Sequence, residues 1–284
     1  MANFYNQASL SVSGKITNSN ITEGELLTQV ILTKTALSSD YGPNDNVVYE
    51  ATIVNNGSAA SNNITITDNL GATTSSGIDI VPLTYVVGTV RYYINGVLQP
   101  TPTVDGGPPL TISGINIPAG GIATVIYEAR ANDFAPREEN ASIVNTATAT
   151  GETLCEELSS TATVPTRDEP ILTIAKAICP DTITCGDEVI YTFIIQNTGN
   201  TPVIATDNLI VSDNFNPALS DIAVKLNGTA LTEGVGYNYD PLTGVFTTIG
   251  GAITIPAATF TRDPETGAII TTPGVAILTV SGTI

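Results

Sequence analysis

The chain repeats itself, and this internal repeat restricts its possible folds more than any other feature of the sequence. Leu32–Ala36 matches Ile174–Ala177, and Asp45–Tyr49 matches Asp187–Tyr191, with the same spacing from lysine to tyrosine in both copies. Further matches follow in the same order: Asn55–Gly57 with Asn197–Gly199, Ile64–Leu70 with Leu209–Phe215, Tyr93–Gly96 with Lys225–Gly228, and Gly121–Tyr127 with Gly274–Val280. Matches in one conserved order predict two copies of a single domain.

Each copy has the pattern of a β-sandwich. Short stretches alternate apolar and polar residues, and Asn95–Gly96 and Asn227–Gly228 are strong hairpin signals between them. β-branched residues are abundant, which favours strands. We therefore predict an all-β protein with two tandem immunoglobulin-like sandwiches. The predicted regions are a donor strand and joint at 1–26, a first sandwich at 28–152, a joint at 153–166 that forms a turn and one more strand, and a second sandwich at 167–284.

The two copies differ at their ends. Copy one continues past Tyr127 to the closing segment Ile143–Gly151, whereas copy two reaches only Ile284, level with Ala131 of copy one. We expect the second sandwich to lack its last strand. Phe4–Ser11 repeats the closing pattern, with two bulky apolar residues, Asn, a polar residue, Ala and a hydroxyl residue.

A free strand and an incomplete sandwich predict a subunit that polymerises with itself. The starting segment would fill the second sandwich of the next molecule, as in donor-strand exchange, and a head-to-tail contact of this kind produces filaments by default. The predicted donor residues are Phe4, Asn6, Ala8, Leu10 and Val12. The predicted acceptor groove is formed by Val275, Ile277, Thr279 and Val280. The alternatives are a mobile tail, a closed monomer and a small ring.

The spacing along the chain favours a contact between molecules. The interval from Asn6 to Lys34 is similar to the interval from Asn145 to Lys176, which spans the joint between the two copies. The starting segment thus has the length of one more joint, and the sandwich before it would be copy two of another molecule.

Composition excludes several classes of function. The formal net charge of −18 opposes nucleic-acid binding. Without histidine, neither Ser/His/Asp nor Cys/His catalysis is possible, and no metal-binding motif or cofactor motif occurs. No apolar run has the length of a membrane span, and the chain starts without a signal-peptide pattern. We predict a protein that is not an enzyme, uses no cofactor and does not insert into a membrane.

The chain has three cysteines, Cys155, Cys179 and Cys185. Cys179 and Cys185 could close a small loop between two strands, which would leave Cys155 available to a partner. The alternative is that all three remain reduced.

Taken together, the motifs resemble a known domain family. Leu-x-Lys, Asp-x-Val-x-Tyr, Asn-x-Gly, Ser/Thr-Asp-x-Leu/Phe, Ile-Pro-Ala and Asn-Thr-Ala-Thr occur here in the order typical of the conserved immunoglobulin-like repeat of bacterial and archaeal surface proteins. The two-copy form resembles surface or fibre proteins of spore-forming Gram-positive bacteria. The resemblance implies an extracellular place on a cell or spore surface. It also leaves open an alternative function as an adhesin or stalk that binds a glycan or protein ligand.

The resemblance also implies a covalent cross-link. In immunoglobulin-like surface domains, a first-strand Lys and a last-strand Asn can condense to an isopeptide bond with loss of ammonia, helped by a carboxylic acid. Burial promotes this reaction, because desolvation favours a neutral amine and a protonated acid. The residues that fit are Lys34, Asn145 and Asp68 within the chain, Lys176, Asn6 and Asp213 between chains, and Glu50 as a further acid in copy one. The alternative is a partly exposed Lys–Asp salt bridge, with Asn145 and Asn6 in turn or edge hydrogen bonds.

Overall fold

The computed structural model describes residues 2–26, 29–75, 77–154 and 156–284, and the all-β prediction is confirmed. A 3-10 turn at Ala205–Asp207 interrupts the strands of these residues. The chain divides into two compact units, one formed by 1–74, 81–132 and 143–164, the other by 75–80, 133–142 and 165–284. A search of the described residues for a helix with the length and apolar character of a membrane span finds none.

The starting segment folds as a hairpin on itself. Its strands are β1 (Ala2–Asn6), β2 (Ser9–Val12), β3 (Lys15–Asn18) and β4 (Thr22–Leu26), with β1 paired to β4 and β2 to β3. Ser13 and Gly14 form its tip with φ of 49° and 78°, the left-handed conformation that a tight hairpin turn requires. The ring of Phe4 lies on Gly24, where a Cβ would stand 2.3 Å from the ring atom Cζ. We call residues 2–26 the N-terminal hairpin.

The first unit is built on two facing sheets. The strands from β5 to β17 are β5 (Val30–Ala36), β6 (Asn46–Asn55), β7 (Ser61–Asp68), β8 (Thr73–Ser75), β9 (Ile78–Ile80), β10 (Leu83–Tyr85), β11 (Arg91–Ile94), β12 (Val97–Leu98), β13 (Thr103–Asp105), β14 (Leu110–Ile117), β15 (Ile122–Ala131), β16 (Ser142–Thr150) and β17 (Leu158–Pro165). All of these belong wholly or mainly to the first unit except β9, which pairs with β8 and falls in the second unit. One sheet has the order β12-β11-β15-β6-β5, with β10 also paired to β15, and the other has the order β13-β14-β7-β16-β17.

Alternation along the strands produces the core of this unit. In β6 and β15 every second residue is buried, including Tyr49, Ile53 and Val125, and in β16 the inward residues are buried in the same way. The predicted turn and extra strand in the joint are confirmed, since residues 158–165 form β17. That strand belongs to the second sheet of the first unit, so the sandwich extends beyond its predicted end at 152.

The second unit repeats this arrangement in part. Its strands are β18 (Leu172–Cys179), β19 (Glu188–Asn197), β20 (Ser212–Asn214), β21 (Ser220–Leu226), β22 (Thr229–Ala230), β23 (Tyr237–Tyr239), β24 (Val245–Thr248), β25 (Thr259–Arg262), β26 (Ile269–Thr272) and β27 (Gly274–Thr283). One sheet has the order β18-β19-β27-β21-β22, a second has the order β20-β24-β23, and β25 and β26 form a hairpin around residues 263–267.

Among the described residues, the second unit lacks counterparts of both β16 and β17. Asp68 ends β7 and Asp213 lies in β20, so these two strands are equivalent, but β7 pairs with β14 and β16 whereas β20 pairs only with β24. With one edge unpaired, β20 has 3 residues where β7 has 8. The sequence predicted the loss of one strand, and the structure corrects this to a two-stranded gap.

The predicted acceptor groove is wrong in its position. Val275, Ile277, Thr279 and Val280 lie in β27, which is paired along one edge with β19 and along the other, from Ile277 onward, with Asn227 and β21. Where a strand is paired on both edges, it has no backbone groups left for a donor. Val280 is fully buried in the core, and Val275 and Ile277 lie on the outer face of the sheet. Among the described strands of this unit, β20 has a free edge at the place where its counterpart β7 is paired with β16.

Candidate functional site

Lys34 lies in the core of the first unit, where a charged side chain is costly. It occupies an inward position of β5, and its side chain has a relative exposure of 0%. Its Nζ donates to Asp68 Oδ2 at 2.5 Å and stands 4.7 Å from the centroid of the Tyr49 ring. Burial lowers the pKa of Lys34 from 10.5 to about 8, although the nearby Asp68 carboxylate opposes the shift. The neutral, nucleophilic amine is therefore accessible near neutral pH.

Asp68 lies at the centre of the cluster. Its Oδ2 accepts hydrogen bonds from Lys34 Nζ and from the Tyr127 hydroxyl, and its Oδ1 accepts the backbone N–H of Leu70 at 2.8 Å. Asp68 ends β7, and the turn that follows folds the Leu70 amide back onto its carboxylate. Two of its described partners, the Lys34 amine and the Tyr127 hydroxyl, can hold or give a proton, and the Leu70 amide only donates a hydrogen bond.

Asn145 completes the cluster from β16. It has an exposure of 0%, its Oδ1 accepts the backbone N–H of Gly71 at 3.1 Å, and its Nδ2 has no hydrogen-bond partner. Gly71 has a φ of 73°, and a Cβ on it would stand 2.8 Å from a methyl group of Ile143, so this position requires glycine. The Gly71 N–H on the carbonyl oxygen polarises the carboxamide toward attack at Cγ.

Two buried tyrosines, Tyr49 and Tyr127, surround these groups. Their rings stack with centroids 5.7 Å apart. Burial raises the pKa of both hydroxyl groups well above the usual value, and the Asn145 side chain adjoins both closely enough to oppose that rise. The repeat contains a match for Tyr49 at Tyr191, but Val280 stands in place of Tyr127. Sequence reasoning therefore did not single out Tyr127, and it also missed the amide of Gly71.

The structure brings Lys34, Asp68 and Asn145 together and places Glu50 elsewhere. Glu50 lies on the outer side of β6, where its Oε1 accepts the Thr52 hydroxyl at 3.2 Å. Lys34 is paired with Ala51, which points inward. The two residues thus face opposite sides of the sheet, and Glu50 is wrong as a candidate acid. The alternative, a partly exposed salt bridge with Asn145 in a turn hydrogen bond, is wrong in its exposure: the Lys34–Asp68 ion pair and the hydrogen bond of Asn145 to the turn are present, but the pair is fully buried.

The second copy has the same ion pair in a different environment. Lys176 Nζ contacts Asp213 Oδ2, but the relative exposure of the two side chains is 41% and 18%. Tyr191, Phe193 and Phe215 have ring centroids 4.6–5.4 Å from Lys176 Nζ. Asn6, the predicted partner of Lys176, lies in the N-terminal hairpin and is exposed.

An open groove lies beside this lysine. Leu172, Ile174 and Ile178 pair with Asn197, Ile195 and Tyr191, so they share the core-facing side of their sheet, yet they are 38%, 56% and 43% exposed. Their counterparts Val30 and Leu32 in β5 are 6% and 7% exposed. We call the uncovered side of β18, together with the free edge of β20, the open groove.

The N-terminal hairpin is as exposed as the groove. Residues 4–23 are all exposed. The large apolar side chains among them, with at least 60% exposure, are Phe4, Tyr5, Leu10, Val12, Ile16 and Ile21. Ala8 lies between β1 and β2 and is also exposed. Apolar surface on this scale marks an interaction site.

The predicted disulfide does not form. Cys179 and Cys185 are both exposed and free. Cys155, the third candidate, lies outside the described residues. Among the described residues, no group of three or more potential metal-binding side chains occurs.

Comparisons with known proteins do not place the chain in a family. Neither a family model nor a curated protein matches it. The similar solved structures include BcpA, the major pilin subunit of Bacillus cereus, at 12% identity over 98% of this chain and 74% of that chain, with a TM-score of 0.36. A 35 kDa C-terminal fragment of the major pilin of Streptococcus agalactiae has 13% identity over 86% and 91% of the two chains, with a TM-score of 0.35. A collagen-binding domain from a Staphylococcus aureus adhesin has 16% identity over 49% and 99%, with a TM-score of 0.30. Sequence identities and TM-scores this low establish no shared function.

Proposed function

We propose that this chain is a structural subunit that polymerises head to tail, each molecule inserting its N-terminal hairpin into the open groove of another. We further propose that Lys–Asn isopeptide bonds lock the product. The place of this filament, outside the cell or on a spore surface, comes from the resemblance of the repeat to surface-protein domains.

The observation that carries this proposal is the difference in cover over two equivalent strands. Leu32 in β5 is 7% exposed beneath its sandwich, while Ile174 in β18 is 56% exposed. In the first unit, β16 and β17 lie in the sheet opposite, and the backbone N–H of Lys34 donates to Ser160 of β17 at 2.9 Å. To be covered in the same way, the open groove requires two strands in the positions that β16 and β17 have in the first unit.

The N-terminal hairpin supplies two strands with the required pattern. Phe4, Asn6, Ala8 and Leu10 match the buried residues Ile143, Asn145, Ala147 and Ala149 of β16 in order. In this arrangement β1 and β2 take the place of β16 along β20, and β3 and β4 take the place of β17 over β18. The donor is thus a preformed hairpin, whereas the sequence predicted a single strand.

Charge and burial both favour a second copy as the occupant. Residues 2–26 contain three charged side chains, Lys15, Glu23 and Glu25, a net charge of −1, although the whole chain has a net charge of −18. The hairpin therefore approaches an acidic neighbour with little repulsion. Burying side chains such as Phe4, Leu10 and Ile174 contributes about 1.5–3 kcal/mol each.

The order of elements indicates which sandwich the hairpin completes. Within the chain, β16 and β17 complete one sandwich before β18 begins the next. The N-terminal hairpin likewise precedes β5, so by the same order it completes the sandwich before the first unit. In a polymer, that sandwich is the second unit of another molecule.

In the first unit, the cluster has the parts for a Lys34–Asn145 isopeptide bond. A proton moves from the Lys34 ammonium to the Asp68 carboxylate, and the neutral Nζ attacks Cγ of Asn145. The new C–N bond forms, the Cγ–Nδ2 bond breaks, and Asp68 returns its proton so that ammonia leaves. The amine nitrogen of Lys34 gives up one further proton to the Asp68 carboxylate. The products are an amide, ammonia and a protonated Asp68, and no oxidant is needed.

The same chemistry between molecules would join Lys176 to Asn6, with Asp213 as the acid. If Asn6 takes the place of Asn145, docking brings its carboxamide into the groove beside the Lys176–Asp213 pair. The hairpin also covers these groups, which are exposed before docking. The covalent step would therefore follow assembly.

Paired substitutions test the assembly. We expect Leu10→Asp and Ile174→Asp each to abolish filaments in negative-stain images and to give monomers in sedimentation. The matched controls Ser11→Asp and Ala175→Asp place the same charge on the opposite face of each strand and should leave filaments intact. Mixing the Leu10→Asp and Ile174→Asp chains should give dimers that do not grow, since one groove and one hairpin remain functional. Filaments formed by the Leu10→Asp chain would contradict the proposal.

Mass and denaturation test the bonds. We expect the purified chain to weigh less than its sequence by one ammonia, and Asn145→Ala to restore the full mass. Filaments boiled in detergent should persist as ladders, while Asn6→Ala filaments should release single subunits. A full-mass wild-type chain would contradict the internal bond, and single subunits from boiled wild-type filaments would contradict the bond between molecules.

A further inference from the structure

The reaction described above leaves both tyrosines of the buried cluster without a role, and of the two only Tyr127 has a described hydrogen bond to Asp68. Its residue exposure is 1%, and its hydroxyl donates to Asp68 Oδ2, the same oxygen that binds Lys34. It lies at an inward position of β15, paired with Tyr49 across the strands. A hydroxyl group both donates and accepts, so it can receive a proton on one side while it releases one on the other.

The leaving group of the reaction lies on the other side of this hydroxyl. Asn145 Nδ2 is buried without a hydrogen-bond partner, and the Asn145 side chain adjoins the Tyr127 hydroxyl closely enough to affect its pKa. Lys34 Nζ binds the same oxygen of Asp68 as the Tyr127 hydroxyl does. The order of groups is therefore Lys34, Asp68, Tyr127 and Asn145.

We propose that Tyr127 is a proton relay between Asp68 and the departing nitrogen of Asn145; the proposal rests on the internal isopeptide bond. As the Cγ–Nδ2 bond breaks, the Tyr127 O–H gives its proton to Nδ2, and the proton on Asp68 Oδ2 moves to the phenol oxygen. Tyr127 thus ends neutral, and ammonia leaves neutral. The carboxylate regenerated on Asp68 then accepts the surplus proton of the new amide nitrogen.

Tyr49 offers an internal control for this role. Its ring is stacked on Tyr127 and equally buried, and its hydroxyl also adjoins Asn145, but none of the described hydrogen bonds joins it to Asp68. A hydroxyl without the bond to Asp68 has no proton to pass on. The second copy has Val280 at the relay position, so any bond at Lys176 would form without this group.

The test is the rate of ammonia loss in chains made by cell-free synthesis, sampled over time and measured by intact mass. We expect Tyr127→Phe to slow the loss by about 10²-fold, as is usual when a general acid–base group is removed. Tyr49→Phe should change the rate by less than about threefold. The wild-type rate should fall in D₂O more than the Tyr127→Phe rate does, which a merely structural tyrosine would not produce.

A second variant covers the case in which Tyr127→Phe does not fold, as judged by hydrogen exchange of β6. A fluorinated tyrosine at 127 keeps the shape and makes the phenol more acidic, so the pH profile of the rate should shift; the same residue at 49 should leave it unchanged. Equal rates for Tyr127→Phe and Tyr49→Phe, or equal profiles for the two fluorinated chains, would overturn the relay. A wild-type chain that keeps its ammonia would instead refute the bond itself.

Discussion

The two lysine sites of this molecule share their ion pair and differ in cover. Lys34–Asp68 has side-chain exposures of 0% and 1%, whereas Lys176–Asp213 has 41% and 18%. The repeat contributes the lysine, the aspartate and a tyrosine to both sites, and β16 and β17 contribute the cover to only one. The strands that cover the ion pair, more than the ion pair itself, therefore decide whether the lysine is buried and reactive.

The largest expected difference between the two sites concerns the loss of stability when each lysine is removed in turn. In an Asn145→Ala background, which cannot form the amide, Lys34→Ala should lower the free energy of unfolding of the first unit by about 3–5 kcal/mol, because Asp68 stays buried without its partner. Lys176→Ala should lower that of the second unit by about 1 kcal/mol or less, since water screens the pair. Hydrogen exchange of the slowest amides in β6 and β19 measures both. Equal losses would contradict the difference in cover.

The apolar neighbours of the lysines should follow the same rule. Leu32→Ala leaves a cavity in a closed core and should cost about 2–5 kcal/mol. Ile174→Ala removes a half-exposed side chain and should cost about 1 kcal/mol or less before assembly. Urea unfolding of unassembled chains gives the comparison. In filaments the Ile174→Ala penalty should rise, and a penalty that stays unchanged would argue against the open groove as the docking site.

The burial of Lys34 should also make the stability of the first unit depend on pH. Burial lowers the folded-state pKa of Lys34 to about 8, below its ordinary value of 10.5. Between these values the unfolded chain binds more protons than the folded chain, so stability rises with pH. In the Asn145→Ala background we expect a gain of about 2 kcal/mol between about pH 7 and pH 9.5 in urea unfolding. Lys34→Met in that background should remove the gain in stability. The wild-type chain should also lack the gain, because its Lys34 amine would be part of the isopeptide bond and could not titrate. A gain in the Lys34→Met chain would assign it to another group.

The smallest effect concerns the tip of the hairpin. Gly14 has a φ of 78°, and no atom lies within 4 Å of the point where a Cβ would stand, so Gly14→Ala costs only the left-handed conformation, about 1 kcal/mol. The concentration needed for polymerisation should rise about fivefold, as measured by sedimentation. Gly186→Ala carries the same local cost in the second unit, where φ is 92° with similar space, and should leave that concentration unchanged. A similar rise in both variants would remove the hairpin tip from assembly.

The sequence was sufficient for features that repeat or alternate. The all-β fold, the two copies and the hairpin turns follow from matched spacing and period-two patterns. The grouping of Lys34 with Asp68 came instead from the resemblance to immunoglobulin-like surface domains. The free edge of β20 could not be found in this way, because alternation assigns a residue to a face of the sheet and does not show which strands are its neighbours. Val280 therefore looked available in the sequence, although β27 is paired along both edges.

Other features depend on long-range backbone geometry. The Gly71 amide reaches Asn145 only because the turn after β7 has left-handed residues and β16 returns beside it. Glu50 and Ala51 are adjacent in sequence and lie on opposite faces of β6, so Glu50 points away from Lys34 although it is next to the residue that pairs with Lys34. The sequence also did not reveal that the N-terminal segment pairs with itself. Its second half, β3 and β4, resembles β17 only in being polar and rich in residues that favour strands.

The position of Lys34 and Asn145 has a mechanical consequence. Lys34 lies in the strand by which the chain enters the first sandwich, and Asn145 lies one strand before β17, by which it leaves. An amide between them would carry a pulling force across the sandwich directly. The long stretch of chain from 35 to 144 would then bear no tension, and the domain could be stretched only at its two short flanks.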